Sequence, residues 1–248
     1  LREARDRQGE EISFWKFCQW RFHEQWAALK HYANARHIEI VGDLPIFVAA
    51  HSADVWSNPK LFDLDPHGRP RVVAGVPPDY FSATGQRWGN PLYRWPAHAA
   101  ESYRWWVERM RQTMKLCDVV RIDHFRGFES FWEIPAEAET AIDGQWRPGP
   151  GEAVFDAMRR ELGDAQGRLR IIAEDLGIIT PEVNALRQAI GLPGMRILQF
   201  AFDGDAKNPY LPHNYDANTV VYTGTHDNDT TRGWFARTLW HALNAYWA

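Results

Sequence analysis

Cysteine is scarce in this chain of 248 residues: Cys18 and Cys117 are the only two, far apart and outside any C-x-x-C spacing. That argues against a disulfide framework and against a thiolate zinc site, and it fits a reducing compartment. Long apolar runs are missing too. No stretch approaches the roughly 18 uninterrupted apolar residues of a membrane span, and the first residues lack the charged-then-apolar pattern of a secretory signal. The expectation is a cytoplasmic protein with no membrane partner. Nor does one sign of charge dominate. Lys and Arg number 28 against 32 Asp and Glu, for a net charge of −4 and a pI near 6.2. No basic field exists to draw the chain onto phosphate backbones, so nucleic acid is not expected as a partner.

What is present describes a folded protein. The composition is 45% hydrophobic and 24% charged, ordinary for a globular domain and far from that of a disordered one. The length permits one large domain, and a (β/α) barrel is among the single-domain folds that reach it. Aromatics are the compositional excess: 13 Trp, and 14% aromatic residues in all. Most such rings fill cores, while flat rings left at a surface suit stacking on the apolar faces of sugars.

Periodicity divides the chain into alternating elements. Residues 12 to 35 place Phe14, Cys18, Phe22, Trp26, Leu29 and Ala33 at steps of three or four, predicting an amphipathic helix. The run from His37 to Pro45 follows, β-rich and ending in Gly, Asp and Pro, and reads as a strand followed by a loop. The same grammar recurs at Val119 to Ile122, Leu169 to Ala173, Ile197 to Phe200 and Thr219 to Tyr222, each run closed by polar residues. Helices are expected between them at Tyr103 to Leu116, Ala153 to Leu162 and Pro181 to Ile190, the last with Pro in its first turn and Gly191 at its end. Alternation of this kind predicts an α/β fold with a parallel sheet, and in barrels of that class the chemistry sits at the carboxyl ends of the strands. Five strands fall short of eight, so an incomplete barrel, about five strands of a (β/α)8 TIM-barrel type, is expected. Residues 51 to 96, rich in Pro, Gly, Asn and aromatics, are expected as a long active-site loop inserted in that domain. Residues 137 to 151 are expected as a shorter surface excursion.

Three acids stand where strands should end: Asp123 after Val-Val-Arg-Ile, Glu174 after Ile-Ile-Ala, and Asp227 after Gly-Thr-His. Cleavage of a glycosidic bond with retention needs two carboxyl groups, one attacking and one donating a proton. Arg121, two residues before Asp123, should lie on the same side of its strand and set a cation beside the nucleophile. Glu174 must hold its proton, which calls for a less polar setting or a like charge such as Asp175 or another acid of the group. His124 and His226 can donate hydrogen bonds to sugar hydroxyls. Two other readings stay open: His and carboxylates at strand tips also suit a metal-dependent barrel hydrolase, and the chain could bind a sugar without turning it over.

Several long motifs then carry a resemblance. Val41-Gly42-Asp43-Leu44-Pro45-Ile46-Phe47-Val48, Arg121-Ile122-Asp123-His124-Phe125-Arg126-Gly127, Ile172-Ala173-Glu174-Asp175-Leu176-Gly177 and Gly224-Thr225-His226-Asp227-Asn228-Asp229-Thr230 closely resemble segments of the 4-α-glucanotransferases, or amylomaltases, of glycoside hydrolase family 77. The aromatic stretch Gly75 to Pro91 resembles the same family, and the likeness runs from about residue 10 to 235. It implies Asp123 as nucleophile, Glu174 as acid/base and Asp227 as the carboxylate that stabilises the transition state. It further implies sugar contacts from Arg121, His124, His226 and Asp43, and an acceptor-side loop carrying Tyr80, Phe81, Gln86 and Trp88. The implied activity is transfer of α-1,4-glucan segments between malto-oligosaccharides, or glucans derived from starch or glycogen, with no cofactor and no metal. Members are roughly twice this length, so a fragment lacking both ends is expected, with early strands and the last strand missing. Residues 236 to 248 do not resemble the family.

Overall fold

A computed structural model describes residues 2–79, 82–177, 179–202 and 205–237. Two helices open the chain, α1 (Arg2–Arg7) and α2 (Gly9–Asn34), and β1 (Val41–Pro45) follows. The next stretch holds α3 (Ala53–Ser57), β2 (Val72–Val76), β3 (Gln86–Pro91) and α4 (Trp95–Ala100). Then come α5 (Arg104–Leu116), β4 (Val119–Asp123), β5 (Ser130–Pro135), β6 (Gln145–Pro148) and α6 (Glu152–Leu162). The described part ends with β7 (Ile171–Ala173), α7 (Pro181–Ile190), β8 (Gly194–Ile197) and β9 (Thr219–Tyr222).

Parallel pairing organises the strands that end in acids. A sheet of order β1-β4-β7 is parallel throughout, and β8 and β9 form a second parallel pair. The two meet where the Ala173 amide donates to the Pro193 carbonyl at 2.9 Å. Crossovers by α5, α6 and α7 supply the connections that parallel strands require. Gly191, with φ of 77°, closes α7 in the left-handed conformation that glycine adopts without a Cβ clash.

The core lies between this sheet and its helices. Val120 and Ile122 of β4 are fully buried, and Trp106, Met110, Phe125, Phe128, Phe155 and Met158 pack in the same cluster. Trp106 stacks with Trp95 and meets Phe128 edge-on at 5.2 Å. Rings of this size account for much of the buried apolar area, at about 25 cal/mol per Å².

Four expectations from the sequence are corrected. The strand expected within residues 37 to 45 begins only at Val41 and runs on through Gly42, Asp43 and Pro45, because Gly42 to Pro45 pair in register with Val120 to Asp123. Long-range pairing overrides the weak β-propensity of Gly, Asp and Pro. Gly42 is required there: a Cβ would sit 2.7 Å from the Cys117 sulfur. Next, β8 covers Gly194–Ile197, while residues 198 to 200, expected as strand, belong to a short 3-10 turn, Leu198–Phe202. Third, residues 51 to 96 are more ordered than a loop. Their strands β2 and β3 join β5 and β6 in an antiparallel sheet of order β3-β2-β5-β6, so part of the surface excursion at 137 to 151 is also strand. Finally, α2 forms, but none of its residues is buried, and Phe14, Phe22 and Leu29 are exposed. Its C-terminal half is tied down by polar bonds instead: Trp26 Nε1 donates to the Leu116 carbonyl at 2.6 Å, and Lys30 pairs with Asp118 at 3.3 Å.

Candidate active site

The parallel register brings the first acids together. Asp43 on β1 lies opposite Arg121 on β4, and Arg121 and Asp123 are two residues apart on one face. The Arg121 guanidinium, largely buried, therefore bridges two carboxylates: Nη1 to Asp43 at 2.7 Å and Nη2 to Asp123 at 2.8 Å. Its Nε faces the Met195 sulfur at 3.4 Å, which fixes the fork from the β8 side.

Glu174 follows β7 beside β4. Its backbone amide donates to the Ile122 carbonyl at 3.0 Å, and its carboxylate accepts the amides of His124 at 2.7 Å and Leu176 at 2.7 Å. The turn that aims the His124 amide at it requires φ of 55° at that residue, a left-handed conformation in which His is tolerated better than most side chains. Burial pushes the Glu174 carboxyl up to about 7, the negative charge of Asp123 pushes the same way, and the two amides and Arg121 oppose them. The like charge is thus Asp123 and not Asp175. Asp175 turns the other way and is 3% exposed, its side chain accepting the Met195 amide at 2.7 Å and pairing with Arg187 and Arg196 at 3.3 Å.

His124 is held neutral by burial and by the neighbouring Arg126 cation, its pKa lowered to about 3. Its Nε2 is buried and makes no hydrogen bond among the described residues. The Trp88 ring meets the imidazole edge-on at 4.8 Å, and Trp88 Nε1 donates to Gln86 at 3.1 Å. Gln86, Trp88 and His124 line a cleft of about 160 Å³ together with Asp79, Arg126, Trp146 and Leu176. Arg126 lies 4.0 Å over the Trp146 ring on β6. Sequence reasoning did not single out Asp79, Arg126 or Trp146. Arg126 stood inside a quoted motif, whereas Trp146 reaches the cleft only through the β5–β6 hairpin.

Asp227 and His226 stand after β9 on a more open surface. His226 Nε2 is 3.4 Å from the Asp227 carboxylate, and the Asp227 side chain is 77% exposed. No bond joins Asp227 to Asp123 or Glu174 among the described residues. Tyr80 and Phe81 lie outside the described residues, as do Asp203 and most of the 236 to 248 tail. Among the described residues, no group of three or more His, Cys, Asp or Glu side chains is arranged to hold a metal ion.

Comparison with known proteins decides the family. The 4-alpha-glucanotransferase family model matches residues 1–247, so the likeness extends past residue 235 into the 236 to 248 tail, which is expected from the sequence to lie outside it. The chain belongs to that family. A 4-alpha-glucanotransferase of Thermus thermophilus is 57% identical over 95% of this chain and 47% of its own length, and one of Solanum tuberosum, named chloroplastic/amyloplastic, is 51% identical over 95% of this chain and 40% of its own. The chain spans about half the length of the curated relatives it matches. In structure, it is similar to an amylomaltase from Streptococcus agalactiae solved in complex with acarbose, with a TM-score of 0.90 and 44% identity over 96% of this chain and 48% of that one. An amylomaltase from Corynebacterium glutamicum shares the fold, with a TM-score of 0.79 at 24% identity over 93% of this chain and 32% of that one. The chain thus has an α/β fold similar to that of these amylomaltase structures over the part it covers. No helix among the described residues is long and apolar enough to cross a membrane.

Proposed function

We propose that this chain carries the acid/base pair of a retaining 4-α-glucanotransferase, on five strands of an incomplete (β/α)8 barrel. The observation that carries the reading is the contrast between two neighbouring carboxyls. Asp123 is bonded to the Arg121 cation at 2.8 Å, while burial and the charge of Asp123 raise Glu174 to about 7. Paired carboxyls in unlike environments are the signature of a nucleophile beside a general acid.

The chemistry follows. An Asp123 oxygen attacks the anomeric carbon of an α-1,4-glucan, the glycosidic C–O bond breaks, and the Glu174 proton passes to the leaving oxygen. The 4-hydroxyl of a second glucan then gives its proton to Glu174 and attacks the same carbon, and Asp123 leaves. Asp43 and His124 would hold hydroxyls of the reacting sugar, and Asp227 with His226 would approach it from β9. Trp88 and Gln86 would wall the acceptor side with Tyr80 and Phe81, excluding water so that a sugar and not a hydroxide accepts. The Streptococcus agalactiae relative, solved with acarbose, supports an oligosaccharide ligand.

Incubation with maltotriose tests this: glucose and longer oligomers should appear, and Asp123→Asn should abolish them without unfolding the chain. The alternative outcome is binding of glucan without turnover. Maltotriose bound but left unchanged would select it.

A further inference from the structure

One buried ionic group takes no part in the chemistry above. Asp175, Arg187 and Arg196 meet between β7, α7 and β8, where Asp175 pairs with both guanidinium groups at 3.3 Å. Well-packed apolar side chains of the same volume would serve stability as well, so such a cluster calls for a second account. What it grips is one residue. The Asp175 carboxylate accepts the Met195 amide at 2.7 Å, and Arg196 Nη1 donates to the Met195 carbonyl at 2.6 Å. Arg187 Nη1 donates to the Leu192 carbonyl at 3.0 Å and fixes the turn that leads into β8. Both polar groups of the Met195 backbone are therefore held by charged side chains.

The Met195 side chain leaves β8 on the face opposite Arg196, is almost fully buried, and packs with Ile172 and Ile197. Its sulfur accepts Arg121 Nε at 3.4 Å. The same guanidinium holds Asp43 through Nη1 and Asp123 through Nη2. A guanidinium is planar and rigid, so an acceptor at Nε sets the direction of both Nη groups. The chemistry of that acceptor matters. A carboxylate there would compete with Asp123 for the cation, whereas an aliphatic side chain would leave an N–H of a largely buried group without a partner. A thioether accepts weakly and carries no charge, so it orients Arg121 and leaves the charge to the two carboxylates.

We infer that Met195 is a positioning residue for Asp123, acting through Arg121. The inference rests on the reading of Asp123 as nucleophile above. It adds a strand β8 residue, which touches no sugar, to the parts that aim the attacking oxygen.

Three chains compared side by side test it: the parent, Met195→Leu and Met195→Gln. Leu keeps the apolar volume and removes the acceptor. Its kcat on maltotriose should fall about three- to tenfold, the loss of one modest hydrogen bond, with KM and melting temperature close to the parent's. Gln places an amide oxygen within reach of Nε while burying a polar group, so it should melt lower than Leu and yet turn over faster. A purely structural role would give the opposite order. A second readout needs no turnover: the nitrogen-15 NMR signal of the Arg121 Nε–H, assigned by its loss in Arg121→Lys, should exchange with solvent several-fold faster in Met195→Leu and slow again in Met195→Gln. Parental kcat or parental exchange in Met195→Leu would overturn the positioning role and leave the glucanotransferase reading standing. A parent inactive on maltotriose would instead sink turnover by this chain, and the positioning role with it, even where the Arg121 signal shows the contact to Met195.

Discussion

The raised pKa of Glu174 can be tested without any substrate, through its effect on stability. A carboxyl displaced from its ordinary 4.5 to about 7 keeps its proton in the folded chain where the unfolded chain has lost it. The folded state then binds more protons between those values, so this group's contribution is fully present below pH 4.5 and is lost as pH rises through 7. At roughly 1.4 kcal/mol for each tenfold change in proton affinity, and with solvent screening at a half-buried site, the loss amounts to about 2–3 kcal/mol. Glu174→Gln removes the titration but also sacrifices an acceptor for one of the amides of His124 and Leu176, a cost independent of pH. The diagnostic quantity is therefore the difference in unfolding free energy between variant and parent, measured by urea denaturation at pH 5 and at pH 8. It should move in favour of Glu174→Gln by about 2–3 kcal/mol between the two. A difference that stays the same across that range would refute the electrostatic assignment, and with it the reason for reading Glu174 as the acid. A carbon-detected titration of its carboxyl by NMR should place the midpoint near 7.

Other outcomes follow from the same structure. Replacing Trp88, which faces His124 at 4.8 Å, with Ala should raise hydrolysis relative to transfer as water reaches the cleft; product analysis on maltotriose would show it, and an unchanged ratio would count against the water-excluding role. Asp175→Ala leaves Arg187 and Arg196 without their shared carboxylate in a buried setting, and should cost about 3–5 kcal/mol in urea denaturation. His98 is buried with its pKa lowered to about 4, so stability should fall as pH drops from 6.5 towards 4, where the unfolded chain takes up a proton that the folded chain refuses. His98→Leu should flatten that acid limb in a pH series of thermal melts.

What could be read from the sequence was local. Helices α5, α6 and α7 declared themselves through apolar residues at steps of three and four, and β4, β7 and β9 through compact β-branched runs that end in polar residues. The antiparallel sheet was hidden because its partners lie far apart in sequence, with Ala74 on β2 opposite Glu133 on β5, and because strands such as Gln86–Pro91 and Gln145–Pro148 have little β-propensity. The exposed face of α2 misled for a related reason: periodicity reports that a stripe is apolar, not what covers it. Within the site, the motifs identified the acids but not their neighbours. Nothing local distinguishes Glu174 from Asp175, adjacent residues whose side chains end in opposite surroundings. Gly194 marks the difference only in three dimensions, since a Cβ there would collide with the Asp175 carboxylate.

The electrostatics of the cleft depend on strand register more than on any single residue. Arg121 reaches Asp123 because the two are separated by one pleat, and it reaches Asp43 because β1 is aligned so that Asp43 faces Arg121 across the ladder. The next ladder brings Ile122 beside Ala173, which sets Glu174 within reach of the charges on β4. A slip of one residue in either pairing would carry the slipped strand's side chains to the opposite face. Arg121 would then lose a carboxylate, and Glu174 would lose the nearby anion that helps hold its proton. The contacts that hold the register, Gly42 against Cys117 and the buried Val120 and Ile122, are thus part of what makes two neighbouring carboxyls unlike.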